Sequence, residues 1–129
     1  MISFASLQKD RAYFLPKDPH WSFLWWELSQ RTIRKYAAPR DFQLMFRVHD
    51  VTDILFDGEN SHAHFDVIVT GKTDHWYLYI HASNRNYVAQ VGFYRQTTGF
   101  QPVVQSNSLF LPPDHPSGDY AEIWTTIQV

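Results

Sequence analysis

The chain has no cysteine, only five glycines, and no apolar run near the roughly 20 residues that a membrane-spanning helix requires. Each lack removes a class of function. Without cysteine there is no disulfide framework, no thiolate nucleophile and no thiolate metal site. A reducing cytoplasm is the expected compartment. Few glycines leave little material for loops that cradle phosphate, and neither G-x-x-x-x-G-K-[ST] nor G-x-G-x-x-G occurs. The G-x-S-x-G turn of many hydrolases is absent as well. No charge sign dominates: 11 Lys and Arg stand against 13 Asp and Glu, for a net charge of −2 and a pI near 6.3. DNA- or RNA-binding domains usually show a basic stripe. The single basic cluster, Arg31, Arg34, Lys35 and Arg40, reads as a solvated helix face. Met1 to Lys17 has no basic start followed by an apolar block, so it does not read as a signal peptide.

Aromatic residues are what the chain has in quantity: ten Phe, seven Tyr and five Trp among 129 residues. With 44% hydrophobic and 19% charged residues and a mean hydropathy of −0.36, the composition is that of a soluble globular protein. The length fits one domain over residues 1–129, with a core over about 11–111 and a tail over 112–129 that is either loose or docked on the sheet.

The repeating pattern has a period of two, which is the strand period. Arg11 to Pro16 is a short apolar segment closed by Pro16-Lys17-Asp18-Pro19. Trp21 to Leu28 sets Trp21, Phe23 and Trp25 against Leu24, Trp26 and Leu28. One of Trp25 and Trp26 is expected in the core and the other under a helix, N-capped by Ser29, that runs through Tyr36 before Pro39. Phe42 to His49 and His62 to Thr70 alternate cleanly, and the turn Gly71 to Asp74 separates the second from Trp76 to His81. Asn86 to Arg95 and Phe100 to Gln105 flank a turn at Thr97-Thr98-Gly99, and Tyr120 to Val129 reads as a last strand or a docked tail. About seven strands and one short helix predict an antiparallel β-sandwich, with a small barrel as the competitor.

Tyr87 opens the penultimate strand two residues before Ala89. Immunoglobulin-like domains carry a tyrosine there whose hydroxyl bonds back to the preceding corner. The expected fold is therefore an immunoglobulin/fibronectin-like sandwich.

Several segments are also similar to a known family. They are Pro16-Lys17-Asp18-Pro19, Trp26-Glu27-Leu28-Ser29, Trp76-Tyr77, Tyr87-x-Ala89-x-Val91-Gly92, Ser106-Asn107 and Pro112-Pro113. Together they resemble the bacterial domain-of-unknown-function family 4912, over about Ala12 to Trp124. Many members have an acidic residue where this chain has Gln90. The resemblance implies a compact cytoplasmic domain with no assigned catalytic residue. Some members occur among genes of α-glucan metabolism, which points toward carbohydrate.

The residues with chemical potential do not form a known catalytic or metal motif. His62-x-His64 would place two rings on one side of a strand, with His75 or His81 as a third ligand if the pairing allows; scattered surface histidines are the alternative. Asp57-Gly58-Glu59-Asn60 lacks the twelve-residue calcium pattern and reads as a solvated turn. No catalytic residue, metal set or cofactor is assigned. The candidate site is an outer aromatic surface. If the strands holding Tyr77, Tyr79 and His81 and holding Gln90 and Tyr94 are adjacent, those five residues share one face. Such a face suits a polysaccharide, or a protein partner including a second copy of the chain. Nucleic acid and membrane are not expected partners. The resulting expectation is a non-catalytic binding module, α-glucan first and protein interaction as the alternative.

Overall fold

Arg11–Pro16 (β1) and Trp21–Glu27 (β2) form an antiparallel hairpin in the computed structural model, which describes residues 9–37 and 42–114. Two prolines flank its turn, and the Asp18 carboxylate closes it by accepting the His20 and Trp21 N–H groups at 2.9 and 2.7 Å. Even-numbered residues of both strands point inward. Phe14 and Leu24 are fully buried and Trp26 nearly so. Each such burial contributes about 1.5–3 kcal/mol.

The helix α1, Gln30–Ala37, follows β2. Ser29 caps it, its hydroxyl accepting the Thr32 N–H at 3.2 Å. Asp10 accepts from the Ser29 N–H and the Thr32 hydroxyl, which ties the cap to the chain ahead of β1. Tyr36 stacks on Phe93 at 5.2 Å, so the helix docks on the other sheet.

The remaining strands are β3 (Gln43–Asp50), β4 (Ala63–Ile68), β5 (His75–Tyr79), β6 (Arg85–Arg95), β7 (Gly99–Gln105) and β8 (Leu109–Leu111). They complete two antiparallel sheets. Sheet A has the order β1-β2-β5, and sheet B the order β4-β3-β6-β7 with β8 also on β6. The inner faces meet in one core that includes Leu24, Phe46, Val48, Leu78, Ala89 and Val91. This is the expected all-β sandwich. One edge of β6 is shared by β7 and β8, and Ser106 marks the break between them, its hydroxyl accepting the Ala89 N–H at 2.9 Å.

The tyrosine corner is present. Tyr87 is buried and its hydroxyl donates to the Ala82 carbonyl at 2.5 Å. The chain reaches that corner by crossing from sheet A to sheet B between β5 and β6, with Asn84 in the left-handed region at φ 58°. That crossing corrects one expectation. Consecutive β5 and β6 are not adjacent: β5 pairs with β2, and β6 with β3, β7 and β8. Arg40, Pro39 and the segment Tyr120 to Val129 lie outside the described residues.

Candidate functional site

The five expected site residues divide between the two sheets. Tyr77 and Tyr79 lie on β5 in sheet A, while Gln90 and Tyr94 lie on β6 in sheet B. His81 lies just past β5, exposed, with its ring centroid 6.4 Å from that of His20. No common face of the five exists, because the β5–β6 connection spans the sandwich.

Gln90 does face outward from sheet B, yet it is only 6% exposed. The connection over residues 51–61 folds across it. His49 Nε2 lies 2.7 Å from Gln90 Oε1, Ser61 Oγ lies 2.9 Å from His49 Nδ1, and Gln90 Nε2 donates to the Gly58 carbonyl. Phe56 packs on the His49 ring at 4.7 Å. Burial pushes the His49 imidazolium down from its ordinary pKa; the Gln90 hydrogen bond opposes this, and His64 and Arg47 add to it. The loop itself is closed internally, with Asp57 Oδ1 accepting the N–H groups of Glu59 and Asn60. Elsewhere on this face Arg47 lies over the Phe100 ring and pairs with Asp66 at 2.6 Å.

Sheet A has an open outer face, with odd-numbered residues in register across three strands. Tyr13, Trp25 and His75 form one row, Leu15, Phe23 and Tyr77 the next, and Trp21 with Tyr79 the third. Tyr77 is 57% exposed, Leu15 53%, Tyr79 52%, Tyr13 46% and Trp21 43%. The rings touch one another. Tyr13 and Trp25 stack at 5.4 Å, Phe23 meets Tyr77 at 5.1 Å with a 51° tilt, and Trp21 meets Tyr79 edge-on at 5.4 Å. They therefore stand on the sheet at mixed angles and do not lie in one plane. Lys17 Nζ sits 5.7 Å from the Tyr77 ring centroid, and a hollow of about 350 Å³ opens between Lys17, Asp18, Trp21 and Tyr77.

At one corner of this face His20 stacks on Tyr79 at 5.2 Å, donates to the Ile80 carbonyl through Nδ1, and pairs with Asp114 through Nε2. The hydrogen bond to the Ile80 carbonyl fixes Nδ1 as the donor. That bond, with Asp114 and Asp18 nearby, raises the His20 pKa against a smaller effect of desolvation.

The two edges of sheet A differ. On β1 the Asn107 amide takes the place of a neighbouring strand: it accepts the Phe14 N–H and donates to the Phe14 carbonyl, both at 2.8 Å. On β5, bonds from Trp26 N–H to Asp74 and from Ile80 N–H to His20 show that even-numbered residues face β2. The odd-numbered backbone groups therefore face the edge. The Thr73 hydroxyl engages both groups of His75. Among the described residues, no partner meets the N–H or C=O of Tyr77 or Tyr79.

Two other features carry less. A cleft of about 810 Å³ opens at the α1 end, but its rim carboxylates are already paired, Glu27 with Arg11 and Asp74 with His75. His62 hydrogen-bonds to the Thr52 carbonyl, and among the described residues no group of three potential ligands forms a metal site.

The sequence reading found Tyr77 and Tyr79 but not Tyr13, Leu15, Trp21, Phe23 and Trp25 as their companions. The signal was available in part: Tyr13 and Leu15 alternate with Ala12 and Phe14 just as Trp21, Phe23 and Trp25 alternate with Ser22 and Leu24. Of the tryptophan pair, Trp26 is the core residue, while Trp25 stacks on Tyr13.

Fold and face together define an immunoglobulin/fibronectin-like sandwich with an aromatic outer sheet. The family described as Domain of unknown function (DUF4912) matches residues 7–122, and the chain belongs to that family. No curated protein matches the sequence. A solved structure titled "Myokine structure" is similar at 10% identity, covering 83% of this chain and 94% of that one, with a TM-score of 0.39. No helix among the described residues is long and apolar enough to cross a membrane.

Proposed function

We propose that this domain is a non-catalytic protein-interaction module that docks its partner on the outer aromatic face of sheet A. The observation that carries the reading is the cross-strand block of Tyr13, Leu15, Trp21, Tyr77 and Tyr79, all near half exposure on one sheet. Isolated exposed apolar residues are ordinary, whereas a contiguous patch marks an interaction surface. Tyr and Trp are the side chains that anchor protein interfaces. The backbone of Tyr77 and Tyr79, which meets no partner among the described residues, adds an edge on which an extended segment can pair. The lack of cysteine supports a cytoplasmic setting.

A second reading, α-glucan binding, is favoured by the phenols of Tyr77 and Tyr79 and the rings of His20 and His75, which set hydrogen-bonding groups among the apolar surfaces. A long polysaccharide stacks best on rings that share a plane. The tilts of 51° and 69° within this array favour the irregular surface of a protein.

Amide-resolved NMR titration separates the two readings. A panel of extended aromatic-rich peptides should shift amides of β1, β2 and β5, and maltoheptaose should not. Shifts on those strands from maltoheptaose alone would overturn the protein reading in favour of the glucan. Peptide shifts confined to β3, β6 and β7 would remove the face from the function altogether.

A further inference from the structure

We infer that the partner seated on sheet A is a second copy of this chain, packed face to face about a two-fold axis. This rests on the protein-interaction reading and names its occupant. A two-fold interface must be self-complementary, because each patch meets its own image. Two features of the face meet that demand: its area and its charge.

The first feature is area. An aromatic side chain buries about 150–250 Å² when fully enclosed. Five side chains near half exposure, with the partly exposed Phe23, Trp25 and His20 between them, offer on the order of 600–700 Å². A standard specific interface takes about 800 Å² from each partner. The loop carrying Lys17 and Asp18 extends the patch at one end. The whole face is then of the size that a stable dimer buries, and little of it would remain exposed.

Charge is the second feature. The three aromatic rows contain no carboxylate and no ammonium, and the row beyond Tyr13 and Trp25 is the ion pair of Arg11 with Glu27, one charge of each sign. At the Trp21 and Tyr79 end both signs are again present, Lys17 and Asp18 beside the hollow that Trp21 and Tyr77 border and His20 paired with Asp114. An image turned so that Lys17 meets the Asp18 of the other copy sets opposite charges together. A face built for nucleic acid or an acidic partner would carry several cations. Rings that stand at mixed tilts also leave ridges and grooves that can interdigitate with their own image across the roughly 10 Å spacing of stacked sheets.

The other exposed apolar residues lie elsewhere. Phe65 and Ile68 are on β4 and Phe110 is on β8, each in sheet B, Leu55 is in the 51–61 connection and Ile33 is on α1. They supply controls that change exposed hydrophobicity without touching sheet A.

Sedimentation equilibrium on the full chain tests the inference, with far-UV circular dichroism confirming that each variant is folded. The wild type should reach about 30 kDa, twice the 15.2 kDa of one chain, at micromolar to submillimolar concentration. Tyr77→Lys and Trp21→Lys should each weaken the dimer by at least about tenfold. Phe65→Lys should leave it unchanged. A wild type that stays monomeric overturns the inference, as does a dimer that Phe65→Lys dissociates and Tyr77→Lys does not. If the monomer's β1, β2 and β5 amides still respond to aromatic peptides, the interaction reading stands and only the second copy is lost. If those amides are already shielded from a soluble paramagnetic agent in the monomer, the face belongs to the chain's own remaining residues, and both fail.

Discussion

His49 on β3 and Gln90 on β6, diagonal neighbours across the ladder in which Gln90 pairs with Arg47, form a hydrogen bond of 2.7 Å beneath the 51–61 connection. Gln90 Nε2 donates to Gly58, so its Oε1 faces His49 and accepts. The His49 proton is therefore on Nε2, and Nδ1 accepts from the Ser61 hydroxyl. The imidazole is neutral and fully engaged, and a second proton would require the Ser61 hydroxyl to turn from donor to acceptor.

Acid should therefore loosen this face. Burial, with help from His64 and Arg47, holds the folded His49 pKa below its ordinary value, and the unfolded chain titrates near 6.5. The unfolded state then binds more protons over the interval between the two pKa values. Stability from this group is complete above about pH 6.5 and is lost as pH falls toward the folded pKa, at up to about 1.4 kcal/mol per pH unit. His20 has a raised pKa and the opposite sign. The difference between wild type and His49→Gln in urea, followed from pH 7.5 to pH 5, isolates the His49 contribution. The gap should narrow as pH falls, and a constant gap would remove this linkage.

Tyr87→Phe should cost about 0.5–1.5 kcal/mol, the usual worth of one hydrogen bond, with the urea slope unchanged. The hydroxyl reaches the Ala82 carbonyl at the turn that carries the chain from one sheet to the other. An unchanged midpoint would show that the corner is held by Asp50, Arg85 and Thr52 instead, which meet beside it.

Gly92→Ala should be severe. A Cβ at position 92 would lie 2.1 Å from the Gln101 carbonyl oxygen and 2.7 Å from Pro102 Cα, both backbone atoms that cannot move without parting β6 from β7. A loss of about 3 kcal/mol or more is expected from urea unfolding. A loss below about 1 kcal/mol would mean that the bulge at Val91/Gly92 adjusts freely.

Asn107→Ala removes both hydrogen bonds to Phe14, with a longer one to the Ser108 carbonyl, and leaves the Phe14 N–H and C=O without that partner in a partly buried setting. About 1–3 kcal/mol should be lost. Hydrogen exchange at the Phe14 amide should quicken more than at Leu24 on the neighbouring strand. Equal acceleration at both would show global unfolding and no local release of the β1 edge.

Period-two alternation made the strands and their faces legible, because burial on one side of a pleated strand imposes it directly. Ser29 announced the helix start and Tyr87 the corner, since each performs a local bond that few other residues can. What alternation does not carry is which sheet a strand joins. Tyr77 and Tyr94 both point outward, and only the left-handed Asn84 and the crossing beyond Ile80 place them on opposite sides of the molecule. Gln90 was misplaced as a surface group for a related reason. A polar residue on an outward position looks exposed until a distant loop closes over it, and the loop does so here through His49, Ser61 and Gly58.

Whether the rings of sheet A serve docking or folding is tested most directly by the double variant Trp21→Ser/Tyr77→Ser, with its urea midpoint and its docking measured side by side. Both side chains are near half exposed and contribute few core contacts. The expected result is a stability within about 1 kcal/mol of wild type and docking, of peptide or second copy, weakened by at least about tenfold. A loss of several kcal/mol with docking intact would contradict it, and would make these rings a support of the fold.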